Sequence, residues 1–347
     1  MAGLCAAARA RELGAAPVVY EKGDRPGGSM VLSSCVIWRH REWDDFRAEC
    51  PGGNETLQRT VWEGLDDGIA WLESLGAPVV EHETGNPRTI GKRFDPRGLT
   101  ETLVRAAGDD CVYRHHDTTD ATILATGGFQ GDAELVAQHV TPAGPLRLRA
   151  NRWSSGDGLR AGLARGGSTS AGMDEFYGRN MPDADFGEHE FVPLAQLYGR
   201  FARVFNERGE EFFAGEVSWS ENDLVQATAR QPTARAWYVL DDAGLAERVR
   251  GRPVREIAAA APTRVDPSDL PFPPPPGARV AVRVSPGITH TIGGLRIDER
   301  ARVVGAEGLF AAGADAGAIS TGGYSSGLAA ALVFGRIAAE NAVGAAG

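Results

Sequence analysis

The feature that most constrains this chain is a short apolar strand that ends in two glycines. Residues 122–125 (TILA) have the composition of a buried strand, and residues 126–129 (TGGF) follow directly. Glycine at a strand end lets the backbone turn sharply and approach a ligand closely. Nucleotides bind at the carboxyl ends of strands in α/β sheets, so this segment predicts an α/β fold with a nucleotide site.

Three C-terminal segments are also rich in glycine, and the first two combine it with apolar residues. They are residues 287–294 (GITHTIGG), 309–315 (LFAAGAD) and 322–328 (GGYSSGL). A helix of small residues is expected after them, over 327–343. Earlier in the chain, helices are predicted over 54–75 and from Asp95 to Ala107. Strand ends of one sheet meet at one edge, so both ends of the chain are predicted to build a single nucleotide-binding domain.

The N-terminal segment has the layout of a dinucleotide-binding unit. Gly3 opens an Ala-rich helix over 4–13, and Glu21 ends the next strand 18 residues after Gly3. This spacing fits an acid that bonds the ribose hydroxyls of adenosine. If Gly3 is the third glycine of the fingerprint, its first two glycines and the first strand lie upstream of residue 1. The alternative is a plain helix-to-strand unit with a surface glutamate, and the C-terminal glycines favour the nucleotide site.

Length and local composition predict one domain split by another. A chain of 347 residues has room for about two domains. Residues 176–280 are richer in aromatic and charged residues, lack glycine-ended strands, and close with a stiff proline-rich spacer at 271–277. We therefore predict a nucleotide-binding domain formed by residues 1–175 and 281–347, with a second domain over 176–280.

Charge and cysteine content restrict the partners. A net charge of −10 argues against nucleic acid or an anionic membrane as a partner. The four cysteines share no metal-ligand spacing, which predicts reduced thiols of a cytoplasmic protein and no metal site. No apolar run is expected to approach the roughly 18 residues of a membrane-spanning helix.

The ordered series of motifs resembles the FAD-dependent flavoprotein family of fumarate reductases and succinate dehydrogenases. The resemblance is greatest to its soluble branch with the 3-ketosteroid dehydrogenases. It covers most of the chain and rests on residues 3–29, 125–129, 154–158 (SSGDG), 206–210 (NERGE), 287–294 and 309–328. It implies an α/β, Rossmann-like FAD-binding domain and an inserted α+β capping domain that closes over the flavin ring.

The resemblance also implies a set of FAD-contacting residues. Those expected at the adenosine part and the helix start are Gly3, Glu21, Lys22, Ala125, Thr126 and Gly127. Those expected along the pyrophosphate and the flavin approach are Gly27, Gly28, Ser29 and Asp157. Those expected at the ribityl chain and the pyrimidine end are Gly313, Asp315, Ser326 and Leu328.

The substrate-binding positions depart from the fumarate reductase pattern. Trp219 stands at or beside the position of the proton-donating arginine, with no arginine near it in sequence, and Tyr324 stands where a second arginine is expected. Without these cations a dicarboxylate loses its bidentate partners. Tyr324 and His290 are therefore the predicted catalytic residues, with Tyr177 or Tyr198 as further candidates.

Two other positions are expected to be solvated surface rather than site residues: Asp174 and Arg179. His115 and His116 are expected to lie in a loop rather than to bind a metal. A section that the family usually carries between Arg105 and Ile123 is short here, and the capping domain is abbreviated.

The predicted function is FAD-dependent dehydrogenation or ene-reduction next to an activating carbonyl. The expected substrate is a small molecule, steroid-like or another cyclic enone, and the sequence identifies no electron acceptor. The alternative is a truncated or non-catalytic remnant of the fold that binds FAD weakly. A third interpretation, a dehydrogenase that uses NAD alone, is disfavoured because it gives the C-terminal glycine segments no role.

Overall fold

The structure is a computed structural model that describes residues 1–108, 110–213 and 215–346. Gly347, the last residue of the predicted segment 281–347, lies outside the described residues. The α-helices are α1 (Ala2–Glu12), α2 (Trp43–Glu49), α3 (Glu55–Ser74), α4 (Pro96–Ala107), α5 (Ala133–His139), α6 (Asp157–Ala164), α7 (Asn222–Ala229), α8 (Asp242–Ala246), α9 (Val254–Ala259) and α10 (Gly327–Ala346).

The strands are short except for one near the C-terminal third. They are β1 (Val19–Glu21), β2 (Val36–His40), β3 (Val79–Glu81), β4 (Thr89–Phe94), β5 (Cys111–Tyr113), β6 (Ile123–Leu124), β7 (Arg147–Leu148), β8 (Phe176–Pro182), β9 (Arg203–Phe205), β10 (Ala236–Leu240), β11 (Arg248–Val249), β12 (Arg252–Pro253), β13 (Arg264–Val265), β14 (Val280–Thr291) and β15 (Phe310–Ala311).

Side-chain caps explain where two predicted helices begin. The Asn54 side chain accepts a hydrogen bond from the Leu57 N–H at 3.1 Å at the start of α3. The Asp95 carboxylate accepts from the Gly98 N–H at 2.6 Å at the start of α4, whose first residue is proline. Both caps satisfy backbone donors of the first helical turn. The helices predicted over 54–75 and from Asp95 to Ala107 are confirmed.

The chain divides into two compact units. Unit 1 comprises Met1–Leu135, Ala150–Phe176 and the described chain from His290 onward, and unit 2 comprises Val136–Arg149 and Tyr177–Thr289. Unit 2 thus differs from the predicted domain 176–280 at two places. It takes in 136–149, because β7 pairs in parallel with Gly287 and Ile288 of β14, and it extends to Thr289.

Unit 1 combines short parallel strands with helices. β1 pairs in parallel with β5, and β6 pairs in parallel with β15, while β2, β4 and β3 form a three-stranded antiparallel sheet. α1 packs on α10 through small side chains, since a Cβ at Gly335 would lie 2.6 Å from the Ala2 carbonyl oxygen. This close helix pair carries the N-terminus of α1 to the ends of β6 and β15.

Helix α10 corrects one prediction about membrane segments. Its residues Gly327–Ala345 are long and apolar enough to cross a membrane, with a mean hydropathy of 1.3. The prediction that no run approaches this length is therefore wrong. Half of that window is buried inside the protein, and a core helix gives the same signal.

Unit 2 is built on a mixed six-stranded sheet. The strand order is β13-β14-β10-β9, and β7 and β8 also pair with β14. All five residues of β10 are buried, and a core that includes Tyr198, Leu224, Tyr238 and Val282 lies on one face. Helices α7 to α9 complete an α+β unit, as predicted for the inserted segment.

Candidate active site

The N-terminus of α1 lies against the end of β6. A Cβ added at Gly3 would lie 3.4 Å from the Ala125 Cβ, so a larger side chain would press on the strand end. A Cβ at Gly313 would lie 3.2 Å from the Ala2 Cβ. Three segments predicted to bind FAD therefore meet at the first turn of α1, where free backbone N–H groups favour an anion such as a pyrophosphate.

Lys22 and Asp157 form one ion pair. The Lys22 ammonium donates to Ser155 Oγ and to Asp157 Oδ2, each at 2.6 Å. The family resemblance assigns Lys22 to adenosine and Asp157 to the flavin, but the structure places their side chains in direct contact. Glu21 is turned toward its own loop, because its Oε1 accepts from the Gly23 N–H at 2.7 Å.

The glycine loop after β1 requires its glycines. Gly27 has φ +102° and Gly28 has φ +54°, in the left-handed region that glycine adopts without strain. Ser29 Oγ accepts from the Asn151 N–H at 3.1 Å, which ties this loop to the segment before α6. Sequence reasoning missed Asn151, because nothing local connects it with a loop more than 100 residues earlier.

Asp315 is the centre of a buried hydrogen-bond network. It is 1% exposed and accepts from the Thr126 N–H, from Thr126 Oγ1 at 3.0 Å and from the Gly128 N–H at 3.1 Å. Thr126 Oγ1 in turn accepts from the Gly158 N–H at 3.0 Å. Burial raises the pKa of Asp315, and the hydrogen bonds from Thr126 and Gly128 oppose that rise. The network joins three predicted FAD segments that are far apart in sequence.

His290 lies at the N-terminus of α10. A Cβ at Gly327 would come within 3.0 Å of His290 Cε1 and 3.3 Å of Nε2, so only glycine leaves room for this ring. Burial lowers the pKa of His290 to about 4, so the ring is a neutral imidazole near pH 7. Ser326 Oγ accepts from the Ala329 N–H at 3.3 Å and caps the same helix.

Tyr324 lies among aromatic and apolar neighbours. Its ring packs edge-on against Trp38, with centroids 5.3 Å apart and an interplanar angle of 61°. Trp38 is 6% exposed and lies opposite Gly91 in the β2–β4 register, where a Cβ on Gly91 would lie 2.6 Å from the Trp38 Cα. The backbone of Tyr324 also hydrogen-bonds the buried Cys50 thiol, whose pKa burial raises. The sequence offered no signal for Trp38 or Cys50.

The loop that carries Tyr324 is held from the α3 side. Gln58, which is fully buried, donates through Nε2 to the Ile319 carbonyl at 2.9 Å, and the Asn54 N–H donates to the Ala318 carbonyl at 2.7 Å. The Gly322 N–H donates to Glu175 Oε2 at 2.7 Å. These contacts hold the predicted catalytic tyrosine on an ordered turn.

Unit 2 places two arginines from other segments beside Trp219. Arg200 donates to the Trp219 carbonyl at 2.5 Å, and Arg179 donates to the Ser220 carbonyl. Arg179 is 3% exposed, so the prediction of a solvated surface arginine is wrong. Both arginines come from segments well before Trp219, and only the folding of unit 2 brings them together.

A buried carboxyl accompanies these arginines. Glu221 is 2% exposed and accepts from the Gly199 N–H at 3.2 Å and from Arg200 Nε at 3.3 Å. Burial raises the pKa of Glu221, and the neighbouring arginines oppose that rise. Tyr198, a candidate from sequence, lies in the core and donates to Gln196 Oε1 at 2.6 Å. The Tyr177 ring lies under the Arg179 guanidinium, whose Cζ is 4.9 Å from the centroid of the ring.

The fold and this set of glycine-ended strands define a flavoprotein. A sequence model of the FAD binding domain family matches residues 112–328, more than half of the chain. The chain therefore belongs to the FAD binding domain family. Its cofactor is FAD, as predicted, and it is an FAD-dependent oxidoreductase.

Named relatives extend the similarity over almost the whole chain. A probable fumarate reductase, Ifc3, of Shewanella frigidimarina is 23% identical over 444 residues, covering 98% of this chain and 73% of that protein. The alignment is longer than this chain, so the relative carries segments that the chain lacks. The open conformation of a flavocytochrome c3 fumarate reductase has a TM-score of 0.71 at 21% identity, covering 99% of this chain and 76% of that one.

A steroid enzyme has a similar fold. The 3-ketosteroid-Δ4-(5α)-dehydrogenase from Rhodococcus jostii RHA1, solved with 4-androstene-3,17-dione, has a TM-score of 0.70 at 19% identity. The match covers 99% of this chain and 94% of the dehydrogenase. The resemblance to both branches and the α/β Rossmann-like fold with a capping domain are thus confirmed.

The residues present fit FAD. Gly3 packs directly on Ala125, as a fingerprint glycine does between helix and strand. Beside Gly128, the buried oxygens Gln130 Oε1 and Thr291 Oγ1 have no hydrogen-bond partner within the described protein, which suits a polar ligand.

Proposed function

We propose that this chain catalyses dehydrogenation or ene-reduction of a CH–CH bond next to an activating carbonyl. The proposed substrate is a steroid-like or other cyclic enone rather than fumarate. Hydride exchange with a substrate carbon is the chemistry that FAD supplies when bound. The protein must then orient the substrate, polarise its carbonyl and move one proton.

The surroundings of Tyr324 carry this proposal. A buried indole at 5.3 Å and a buried thiol suit an apolar ring system better than a charged dicarboxylate.

Tyr324 and His290 take the proposed chemical roles. A phenol is a hydrogen-bond donor at neutral pH, so the Tyr324 hydroxyl is suited to polarise a carbonyl or hold the proton of the adjacent carbon. The neutral imidazole of His290 at the start of α10 is suited to orient the substrate without adding charge.

Anaerobic turnover with matched substrates tests the proposal. FAD-loaded protein is mixed with a 3-ketosteroid, with cyclohexenone and with fumarate, and flavin absorbance is followed in both reaction directions. Tyr324→Phe should lower kcat on the enone by about 10²–10⁴-fold and keep the flavin spectrum. Tyr20→Phe, at a surface tyrosine that is 52% exposed, is the matched control. Efficient fumarate reduction would exclude the proposed substrate class, and full activity of Tyr324→Phe would exclude the proposed role of its hydroxyl.

A second candidate is a flavoprotein fold that binds FAD weakly and does not turn over. The specific observation in its favour is that β1–β5 and β6–β15 form separate two-stranded sheets within the described residues. Two-stranded sheets are marginally stable by themselves. A dissociation constant for FAD far above micromolar, with no flavin in the purified protein, favours this candidate over the enzyme.

We also propose a cytoplasmic location. All four cysteines are free thiols, and three of them are buried. Buried reduced thiols are typical of a reducing compartment.

A further inference from the structure

Two buried oxygen atoms without a partner lie around Gly128. Thr291 is 2% exposed and Gln130 is 4% exposed, and neither Thr291 Oγ1 nor Gln130 Oε1 has a hydrogen-bond partner within the described protein. A Cβ at Gly128 would lie 2.7 Å from Thr291 Oγ1 and 2.8 Å from Gln130 Oε1. Both oxygens therefore lie against Gly128, in the turn that follows β6.

The orientation of the Gln130 amide is determined. Its Nε2 donates to the Gly127 carbonyl at 2.9 Å, so Oε1 is the atom that faces Gly128. Oε1 can only accept a hydrogen bond, whereas the Thr291 hydroxyl can donate or accept. The group that satisfies both must supply a donor to Gln130, and a hydroxyl meets both requirements.

Asp315 already accepts three hydrogen bonds at the same place. Its carboxylate already accepts from the Thr126 N–H, the Thr126 hydroxyl and the Gly128 N–H. The Ala314 Cβ lies 3.2 Å from the Cβ position of Gly128, so Gln130 and Thr291 are adjacent to this acid. The open acceptors next to the predicted ribityl acid belong to Gln130 and Thr291.

We propose that Gln130 and Thr291 are FAD-binding residues whose side-chain oxygens hydrogen-bond ribityl hydroxyls beside Gly128. The ribityl chain carries several hydroxyls, each both donor and acceptor, so one chain can satisfy both side chains. A buried polar atom without a partner costs free energy, and this ligand removes that cost. The proposal depends on FAD binding and not on the identity of the substrate.

The variant Thr291→Val separates a ligand contact from a structural role. It keeps the β-branched shape and removes only the hydroxyl. FAD affinity should fall about three- to tenfold, as for loss of one neutral hydrogen bond. The melting temperature of the apoprotein should stay the same or rise, because the deleted hydroxyl has no partner among the described residues. A merely structural hydroxyl would instead lower the melting temperature.

Thr321→Val is the matched control. Thr321 is 8% exposed and its Oγ1 also has no partner within the described protein, but it lies against Gly172 and not Gly128. The melting temperature of the Thr321→Val apoprotein should change as that of the Thr291→Val apoprotein does. The FAD affinity of Thr321→Val should stay unchanged. Gln130→Met is a second variant that should weaken FAD binding and, through loss of the bond to Gly127, also lower the melting temperature.

Two cofactor fragments locate the contact on the ligand. Dissociation constants are measured by calorimetry for FAD, for riboflavin 5′-phosphate, which carries the ribityl chain, and for ADP, which lacks it. Thr291→Val should weaken riboflavin 5′-phosphate and FAD by the same factor and leave ADP unchanged. Unchanged FAD affinity in Thr291→Val, an equal loss of ADP affinity, or wild-type protein that binds no FAD would overturn the proposal.

Discussion

Removal of the Thr126 hydroxyl tests whether the Asp315 network holds unit 1 together. Thr126 Oγ1 donates to Asp315 Oδ1 at 3.0 Å and accepts from the Gly158 N–H at 3.0 Å. Thr126→Val keeps the β-branched shape and removes both hydrogen bonds. Gly158 is buried at the first turn of α6, and Asp315 is 1% exposed, so water replaces neither partner easily.

The expected destabilisation follows from these two hydrogen bonds. A hydrogen bond to a charged group contributes about 1.5–3 kcal/mol, and a buried N–H left without a partner costs about 1–3 kcal/mol. The two effects share one hydroxyl and the surroundings relax, so they do not add fully. We expect Thr126→Val to lower the free energy of unfolding by about 2–4 kcal/mol.

Urea unfolding followed by circular dichroism and tryptophan fluorescence measures this loss. For a slope of about 3 kcal/mol per molar urea, the midpoint should fall by about 1 M. Thr126→Ser is the matched control, because it keeps the hydroxyl and removes one methyl, for a loss of about 1 kcal/mol. Equal midpoints for the valine and serine variants would refute the argument, since the hydroxyl would then contribute nothing to stability.

Three further predictions concern titration, the aromatic neighbour and unit 2. Burial lowers the pKa of both His40 and His290 to about 4, so these histidines take up protons in the unfolded chain first as the pH falls from about 6.5. The free energy of unfolding should therefore decrease between about pH 6.5 and pH 4, by up to about 3 kcal/mol per histidine. A melting temperature independent of pH over that range would contradict this. Trp38→Leu removes the edge contact with Tyr324 and should lower kcat on an enone by about tenfold with FAD affinity unchanged. Trp38→Phe should lower kcat less. Equal kcat values for the two variants would argue against an orienting role of the indole. Glu221→Ala leaves buried donors without an acceptor and should destabilise unit 2 by about 3–5 kcal/mol, as judged by urea unfolding, and a loss below 1 kcal/mol would show that the carboxyl is dispensable.

Local sequence patterns predicted the elements and the class of ligand well. Asn54 and Asp95 marked two helix starts, because capping side chains bond the nearest free N–H groups. Gly127 and Gly128 have φ +98° and +85°, as expected where a strand ends in a sharp turn. These features depend on residues a few positions apart, which is why the sequence is sufficient for them.

Contacts between distant residues account for what the local patterns did not predict. Lys22 and Asp157 were assigned to different parts of FAD, yet they form an ion pair across 135 positions of the chain. Arg179 was expected on the surface, but β8 carries it beside Ser220 in the interior of unit 2. Segment 136–149 joined unit 2 because two residues of β7 pair with β14. No local pattern encodes such pairings.

The amino-acid sequence alone determined the class of this protein: an α/β flavoprotein with glycine-ended strands. Those signals are local, since the conformational freedom of glycine and the periodicity of apolar residues act within one element. Only the tertiary structure decided which side chains meet: Asp315 with Thr126, His290 with Gly327 and Tyr324 with Trp38. The reason is physical, because these partners come from separate elements and their distances depend on how helices and strands pack together.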